Sequence, residues 1–144
     1  MKAVSGIAIF VLMAVAVAMA APPNYATPKF PGTLVNAKYV YVAAYDGDQF
    51  DPSLLPEDRR AINSVQDAIQ KWGHYVVVYR PQDADIILMV ESRPSEDVLA
   101  VYDAKLWPQQ SYLWRAMGRD GLQKGETPLV TSLQKAVEKA ETEK

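Results

Sequence analysis

Hydrophobic and polar positions alternate with two different periods in the first folded part of the chain. Residues 38–45 form a run of aromatic and β-branched side chains that stops at the turn signal Asp46-Gly47-Asp48, which predicts a strand. Apolar residues then recur at spacings of three, four and seven over 55–72, which predicts an amphipathic helix. Gly73 is expected to end this helix in a left-handed conformation.

The second half of the chain predicts four more strands and a terminal helix. The strands are expected at 75–80, 86–90, 97–102 and 111–117, and the second of these is wholly apolar, as is typical of a central strand. The helix is expected over 127–140, where Thr127 can cap it and Pro128 suits its first position.

This order, β-α-β-β-β-β-α, predicts an α/β fold of the α+β type. An early βαβ crossover followed by hairpins favours a two-layer sandwich, with a mixed sheet of about five strands and both helices on one face. We expect residues 38–144 to form this single domain.

The amino terminus has the pattern of a secretory signal peptide. Lys2 precedes an apolar stretch at 6–17, and Ala18-Met19-Ala20 is a small-x-small processing site, so we expect a signal peptide over 1–20 with cleavage between Ala20 and Ala21. The alternative is an uncleaved amino-terminal helix that anchors the protein, because residues 3–21 are nearly long enough to span a bilayer. With cleavage, the protein is periplasmic or secreted and has no stable membrane insertion.

Residues 21–37 are expected to form an extended arm. They contain Pro22, Pro23, Pro28 and Pro31 and show no periodicity, and proline favours the polyproline II conformation.

Composition excludes several kinds of site. The chain has no cysteine, which excludes disulfides, thiolate metal sites and thiol catalysis. With 15 basic and 17 acidic side chains it also lacks the basic excess that nucleic-acid binding needs, so we expect no nucleic-acid partner.

The domain resembles a superfamily of small bacterial envelope domains. The resemblance rests on Trp72-Gly73, on Ala84-Asp85 followed by three aliphatic residues, on 98–103 (Val-Leu-Ala-Val-Tyr-Asp) and on Leu113-Trp114-Arg115, and covers about 38–140. Members include the amino-terminal domain of the Tol–Pal translocation protein, the curli-secretion lipoprotein and the lipopolysaccharide-assembly lipoprotein. It implies the fold more than any activity and transfers no binding residue, and this chain has no cysteine to acylate.

Residues suited to catalysis or metal binding are few. The single histidine, His74, directly follows the helix-ending glycine, and no serine or acid lies at a recognisable motif spacing from it, so we expect no catalytic residues and no cofactor. Asp46, Asp48 and Glu57 match positions one, three and twelve of a calcium-binding loop. Phe50 and Asp51 do not suit such a loop, and turn and helix-start chemistry explains the same acids.

Aromatic residues share a parity along the predicted strands. Successive side chains of a strand point to opposite faces, so the aromatic residues are expected on one face and aliphatic residues on the other, where the helices pack. The candidate binding residues are Tyr39, Tyr41, Tyr45, Tyr75, Tyr79, Tyr102, Tyr112 and Trp114.

Two kinds of function remain open. The first is a noncatalytic binding or envelope-assembly module that uses the aromatic face to hold an envelope protein or another periplasmic partner, since tyrosine is enriched at interfaces. The second is a small secreted hydrolase or metal-dependent enzyme. An alternative to a partner on the aromatic face is that the arm of residues 21–37 folds back and covers this face itself.

Overall fold

The computed structural model describes residues 30–109, 111–123, 125 and 127–143. Three α-helices and five strands follow one another in the order α1 (Phe30–Asn36), β1 (Tyr39–Ala44), α2 (Pro56–Trp72), β2 (Val76–Val78), β3 (Ile86–Ser92), β4 (Asp97–Asp103), β5 (Trp114–Gly118) and α3 (Pro128–Thr142). A short 3₁₀ turn at Pro81–Asp83 joins β2 to β3.

The five strands form one mixed sheet in the order β2-β1-β3-β4-β5. Helix α2 is the crossover between the parallel strands β1 and β2, and β1 also pairs in parallel with β3. The remaining two pairings, β3 with β4 and β4 with β5, are antiparallel. The predicted mixed five-stranded α/β fold is therefore confirmed.

The main core lies between the helices and one face of the sheet, which we call the helix face. Fully buried aliphatic residues of the central strands meet those of α2 and α3 there. The core residues from the sheet are Val40, Val42, Ala44, Ile86, Leu88, Val90, Leu99 and Val101, and those from the two long helices include Ala61, Ile62, Val65, Ile69, Leu129, Val130, Leu133 and Val137.

The helix boundaries follow the predicted signals with one exception. Gly73 has a φ of 74° and its N–H donates to the Ile69 carbonyl at 3.1 Å, so it ends α2 as expected. Pro56 and Pro128 both lie in first turns, where a missing N–H costs nothing. The hydroxyl of Thr127 donates to the Gln123 carbonyl at 3.1 Å and makes no capping bond to α3.

Helix α1 corrects the expectation of an extended arm. Residues 30–36 are helical, and Leu34 is fully buried in the main core. The Tyr75 hydroxyl donates to the Leu34 carbonyl at 2.6 Å, and α1 also contacts α3. Pro31 is compatible with this helix because it lies in the first turn. The rest of the arm and the signal sequence with its Ala20/Ala21 site lie outside the described residues.

The hydrogen bonds of Asp85 explain why the Ala84-Asp85 motif contains an acid. Its Oδ2 accepts hydrogen bonds from the backbone N–H groups of Lys38 and Tyr39, each at 2.9 Å, and thereby ties the start of β1 to β3. These two bonds hold the pKa of the Asp85 carboxyl below its ordinary value. The motif therefore has a structural role.

His74 packs into an aromatic group at the end of α2. Its ring stacks on Trp72 with centroids 4.8 Å apart and contacts the edge of Tyr75 at 4.6 Å. Its Nε2 lies 3.8 Å from a carboxylate oxygen of Glu141 near the end of α3. These contacts place the histidine in the packing between α2, β2 and α3.

No helix of the described residues is both long and apolar enough to cross a bilayer.

The turn between β5 and α3 depends on a glycine. A Cβ atom at Gly121 would lie 2.5 Å from Cγ of Leu129, and Leu129 cannot easily retreat because its N–H donates to the Gly121 carbonyl at 3.1 Å. We expect Gly121→Ala to lower the free energy of unfolding by about 1–3 kcal/mol through overpacking, measured by urea denaturation.

Gly118→Ala is the matched control, because its Cβ would meet Leu129 at an ordinary 3.6 Å. It should change stability by less than about 1 kcal/mol. Equal losses in the two variants would contradict the steric explanation.

Candidate functional site

The sheet face opposite the helices carries a second, smaller group of packed residues. Ala43, Ile87 and Met89 are buried there although no helix of the described residues covers them. Partly buried aromatic side chains do so instead, contributed by Tyr41, Tyr102 and Trp107. We call this side of the sheet the open face.

A network of rings and hydroxyls lies across the open face. The hydroxyls of Tyr45 and Tyr102 are 3.0 Å apart, within hydrogen-bond distance. The ring of Tyr102 makes edge contacts with Trp107 at 4.6 Å and with Tyr112 at 6.5 Å between centroids. Burial and the bond to Tyr45 raise the pKa of Tyr102 to about 12, so its hydroxyl stays protonated at neutral pH.

Tyr41 connects the open face to the turn after β1. Its hydroxyl donates to Oδ2 of Asp48 at 2.7 Å, while Oδ1 of the same carboxylate accepts the Phe50 N–H at 2.9 Å. Burial and the neighbouring carboxylate both raise the pKa of Tyr41 above its ordinary value. The phenol is therefore held neutral beside an acid.

A cavity of about 420 Å³ opens beside this pair at the carboxyl-terminal half of β1. Such a volume is within the range of small-molecule sites. Its lining combines rings, short aliphatic side chains and acids, and includes Tyr41, Ala43, Tyr45, Asp48, Asp51, Ile87, Met89 and Trp107.

Several of the predicted binding residues lie on the open face. Tyr45, Tyr102 and Tyr112 belong to the network, and Tyr41 packs beside it against the buried residues of this face. Tyr45 and Tyr112 each keep about half of their surface exposed, at 50% and 51%. Tyr39 has the same strand parity as Tyr41, and the ammonium of Lys38 lies 5.3 Å from its ring centroid.

The expected position of Tyr75 is wrong, and Tyr79 lies outside the strand whose parity was expected to place it. Tyr75 is only 3% exposed and packs into the main core on the helix side, and Tyr79 lies beyond the end of β2, where its ring contacts Phe50. Every residue at 75–79 is apolar or aromatic, so alternation could not distinguish the two faces of this strand. The register with β1, in which Tyr39 pairs with Val76, decides which residues point to the helices.

The expected position of Trp114 is also wrong. Trp114 and Ala116 pack against the main core, whereas Met117 is exposed. Trp114 pairs with the core residue Val101, which puts Arg115 on the open face. A charged side chain is costly under a helix layer, and this cost fixes the parity of β5.

Trp107 was not predicted as a site residue. It lies in the connection between β4 and β5 and packs onto the open face against Tyr102. The apolar pair Leu106-Trp107 within an otherwise polar connection was the signal in the sequence. Phe50 is a second aromatic residue that was not predicted as a site residue. It is largely exposed, and its ring contacts that of Tyr79.

The three acids considered for calcium do not come together. Asp48 lines the cavity on the open face, whereas Glu57 lines a different cavity and lies 3.5 Å from Arg60 on α2. Asp46 is exposed in the turn after β1. Among the described residues, no three acidic or histidine side chains are grouped as metal ligands.

The second cavity, of about 560 Å³, lies where the β3–β4 hairpin meets α2 and the turn after β5. Its lining carries the cations Arg60, Arg93 and Arg119 among acids that include Asp97. Arg93 is already paired with Glu91 at 2.6 Å, as Arg60 is with Glu57. This mixed and partly paired charge favours no single class of ligand.

Comparisons were made with protein-family models, with curated proteins and with solved structures. None of the three finds a match. The resemblance to envelope domains therefore stays a prediction, and the assignment of function rests on the open face itself.

Proposed function

We propose that this protein is an exported, noncatalytic binding module whose partner docks on the open face. The observation that carries the proposal is the ring network of Tyr45, Tyr102, Trp107 and Tyr112, which lies outside the helix layer and is partly exposed. Tyrosine and tryptophan combine a large apolar surface with a polar group, and they are enriched in interfaces for that reason.

The sequence supports export and a place in the cell envelope. Residues 1–20 have the signal-peptide pattern, and the resemblance to envelope domains agrees with a periplasmic or secreted protein. Helix α1 lies on the helix side through Leu34, so residues 30–36 leave the open face available to a partner.

The structure changes which residues are expected to anchor a partner. Tyr75 and Trp114 are excluded because they pack into the main core. Tyr45, Tyr102 and Trp107 replace them, since they are joined to one another and surround the buried residues of the open face. Central, well-packed aromatic residues of this kind are typical hot spots.

The proposal predicts that a photoreactive side chain captures a partner only from the open face. A benzoylphenylalanine at position 45 or 112 in the exported protein should crosslink to one defined protein in the native envelope. The same group at the exposed Gln70 of α2 is the control and should not. Equal crosslinking from all three positions would contradict the proposal.

Affinity for the captured partner provides the quantitative test. Tyr102→Ala or Trp107→Ala should weaken binding by about 2 kcal/mol, because each removes an anchor. Tyr79→Ala is the control, because it removes an aromatic side chain that is even more exposed but lies outside the network, and it should leave the affinity unchanged. A loss with Tyr79→Ala but not with the other two would assign the interface elsewhere.

A further inference from the structure

The cavity beside Tyr41 combines aromatic walls with negative charge. Tyr41, Tyr45 and Trp107 contribute rings to its lining, and Asp48 and Asp51 contribute carboxylates. No lysine, arginine or histidine lines it within the described residues. This composition differs from that of the larger cavity, where arginines and acids are mixed.

The carboxylate of Asp48 has hydrogen bonds but no cation as a partner. It accepts from the Tyr41 hydroxyl and the Phe50 N–H, and no ion pair within 4.0 Å involves it in the described part of the chain. Asp48 therefore brings to the cavity a carboxylate that has no cationic partner among the described residues.

Asp51 is the second carboxylate that lines the cavity. Its Oδ1 accepts from the N–H and the hydroxyl of Ser53 at 2.9 and 2.7 Å, and these bonds lower the pKa of the carboxyl. The nearby Arg59 donates from Nη2 to the backbone carbonyl of Asp51 at 2.7 Å and from Nη1 to that of Gln49. Its guanidinium is thus engaged by backbone oxygens, and it forms no ion pair with the Asp51 carboxylate.

We propose that this cavity binds a quaternary ammonium group, a ligand class that deepens and rests on the proposed binding function of the open face. Aromatic ring faces attract cations, and cages of such rings are a known means of holding methylated ammonium groups. A trimethylammonium group has no N–H to satisfy, so it suits a lining that combines aromatic residues with the apolar residues Ala43, Ile87 and Met89. The two carboxylates add long-range attraction and repel anions.

The alternatives fit this lining less well. A metal ion needs several oxygen ligands, and the cavity offers only two carboxylates among rings and aliphatic groups. A primary ammonium group carries three N–H donors that need acceptors, and the apolar part of the lining supplies none, so the two carboxylates would have to satisfy them.

Choline and its neutral isostere 3,3-dimethylbutan-1-ol test the proposal directly. They have nearly the same shape and differ in charge. In the folded mature protein, choline should shift the NMR signals of the Ala43, Ile87 and Met89 methyl groups and half-saturate at a concentration about tenfold lower than the isostere. Equal binding of the two, or shifts confined to residues elsewhere, would overturn the proposal.

Variants identify the groups responsible. Asp48→Asn keeps the size of the side chain and an acceptor for Tyr41, and it should weaken choline binding by about tenfold. Trp107→Ala should weaken choline binding by a similar factor. Trp107→Phe keeps an aromatic ring and should therefore retain most of the affinity for choline. Asp46→Asn is the control, because Asp46 is a neighbouring exposed acid that does not line the cavity. An equal effect of Asp46→Asn and Asp48→Asn would contradict a role for the cavity.

Failure of this inference can be distinguished from failure of the proposed function. Partner crosslinks from positions 45 and 112 without choline binding would retain the docking surface and refute the cation site. Choline binding without such crosslinks would retain the cavity and refute the docking of a protein on the open face.

Discussion

Leu88→Ala is expected to lower the free energy of unfolding by about 2–5 kcal/mol. Leu88 lies in the central strand β3 on the helix face and is fully buried, so truncation removes apolar contacts and leaves a cavity that the neighbouring strands cannot easily fill. Urea denaturation with an unchanged slope would measure this loss as a shift of the midpoint.

Met89→Ala is the matched control for this prediction. Met89 is the next residue of the same strand and is also buried, but it points to the open face, where it lines the cavity. In the described part of the chain it is covered by side chains and not by a helix, so its truncation should cost clearly less than that of Leu88. A larger loss from Met89→Ala would mean that the open face is the better packed side.

Asp97→Ala is expected to cost about 3 kcal/mol. The Asp97 carboxylate is buried at the start of β4 and accepts from the Ser92 hydroxyl and from the Leu122 N–H, each at 3.0 Å. Alanine would leave the buried amide of Leu122 without its acceptor and would break the connection between the β3–β4 hairpin and the turn before α3. Thermal or urea unfolding gives the measured loss.

Ser92→Ala separates the two bonds of Asp97. It removes the hydroxyl donor and leaves the Leu122 bond in place, so we expect a loss of only about 1 kcal/mol. If the two variants lost the same free energy of unfolding, the hydrogen bond from the Leu122 N–H to Asp97 would contribute nothing measurable to stability.

The parts of the fold that the sequence predicts well are those with two agreeing signals. Helix α2 has both an apolar periodicity and marked ends, with Pro56 in its first turn and Gly73 after its last residue, and its predicted bounds of 55–72 agree with Pro56–Trp72. Strand β3 is equally clear because an uninterrupted apolar run is short enough to be a central strand.

The parts that were missed depend on contacts between distant residues. Helix α1 has only seven residues and contains Gly32, so local preference opposes it. Burial of Leu34 and the hydrogen bond from the Tyr75 hydroxyl stabilise it. The parity of β2 follows from its pairing with β1, which no local pattern of apolar residues can reveal.

The candidate site shows the same division. Tyr41, Tyr45 and Tyr102 could be placed on one face from strand parity alone, because β1 and β4 each have one clearly aliphatic face. Trp107 could not, since a connection has no period, and its position follows from packing against Tyr102. Asp48 was considered as a metal ligand, whereas its contact with Tyr41 gives it a role in the lining of the cavity.

The placement of α1 affects how the protein can be attached to a surface. Helix α1 and the end of α3 both lie near the start of β2. The Leu34 carbonyl accepts a hydrogen bond from the Tyr75 hydroxyl, and Glu141 lies beside His74. The cavity lies by the turn that follows the opposite end of β1. We therefore expect a biotin or an affinity tag that is joined through either end of the described residues to leave the open face directed towards the solution on a biosensor chip.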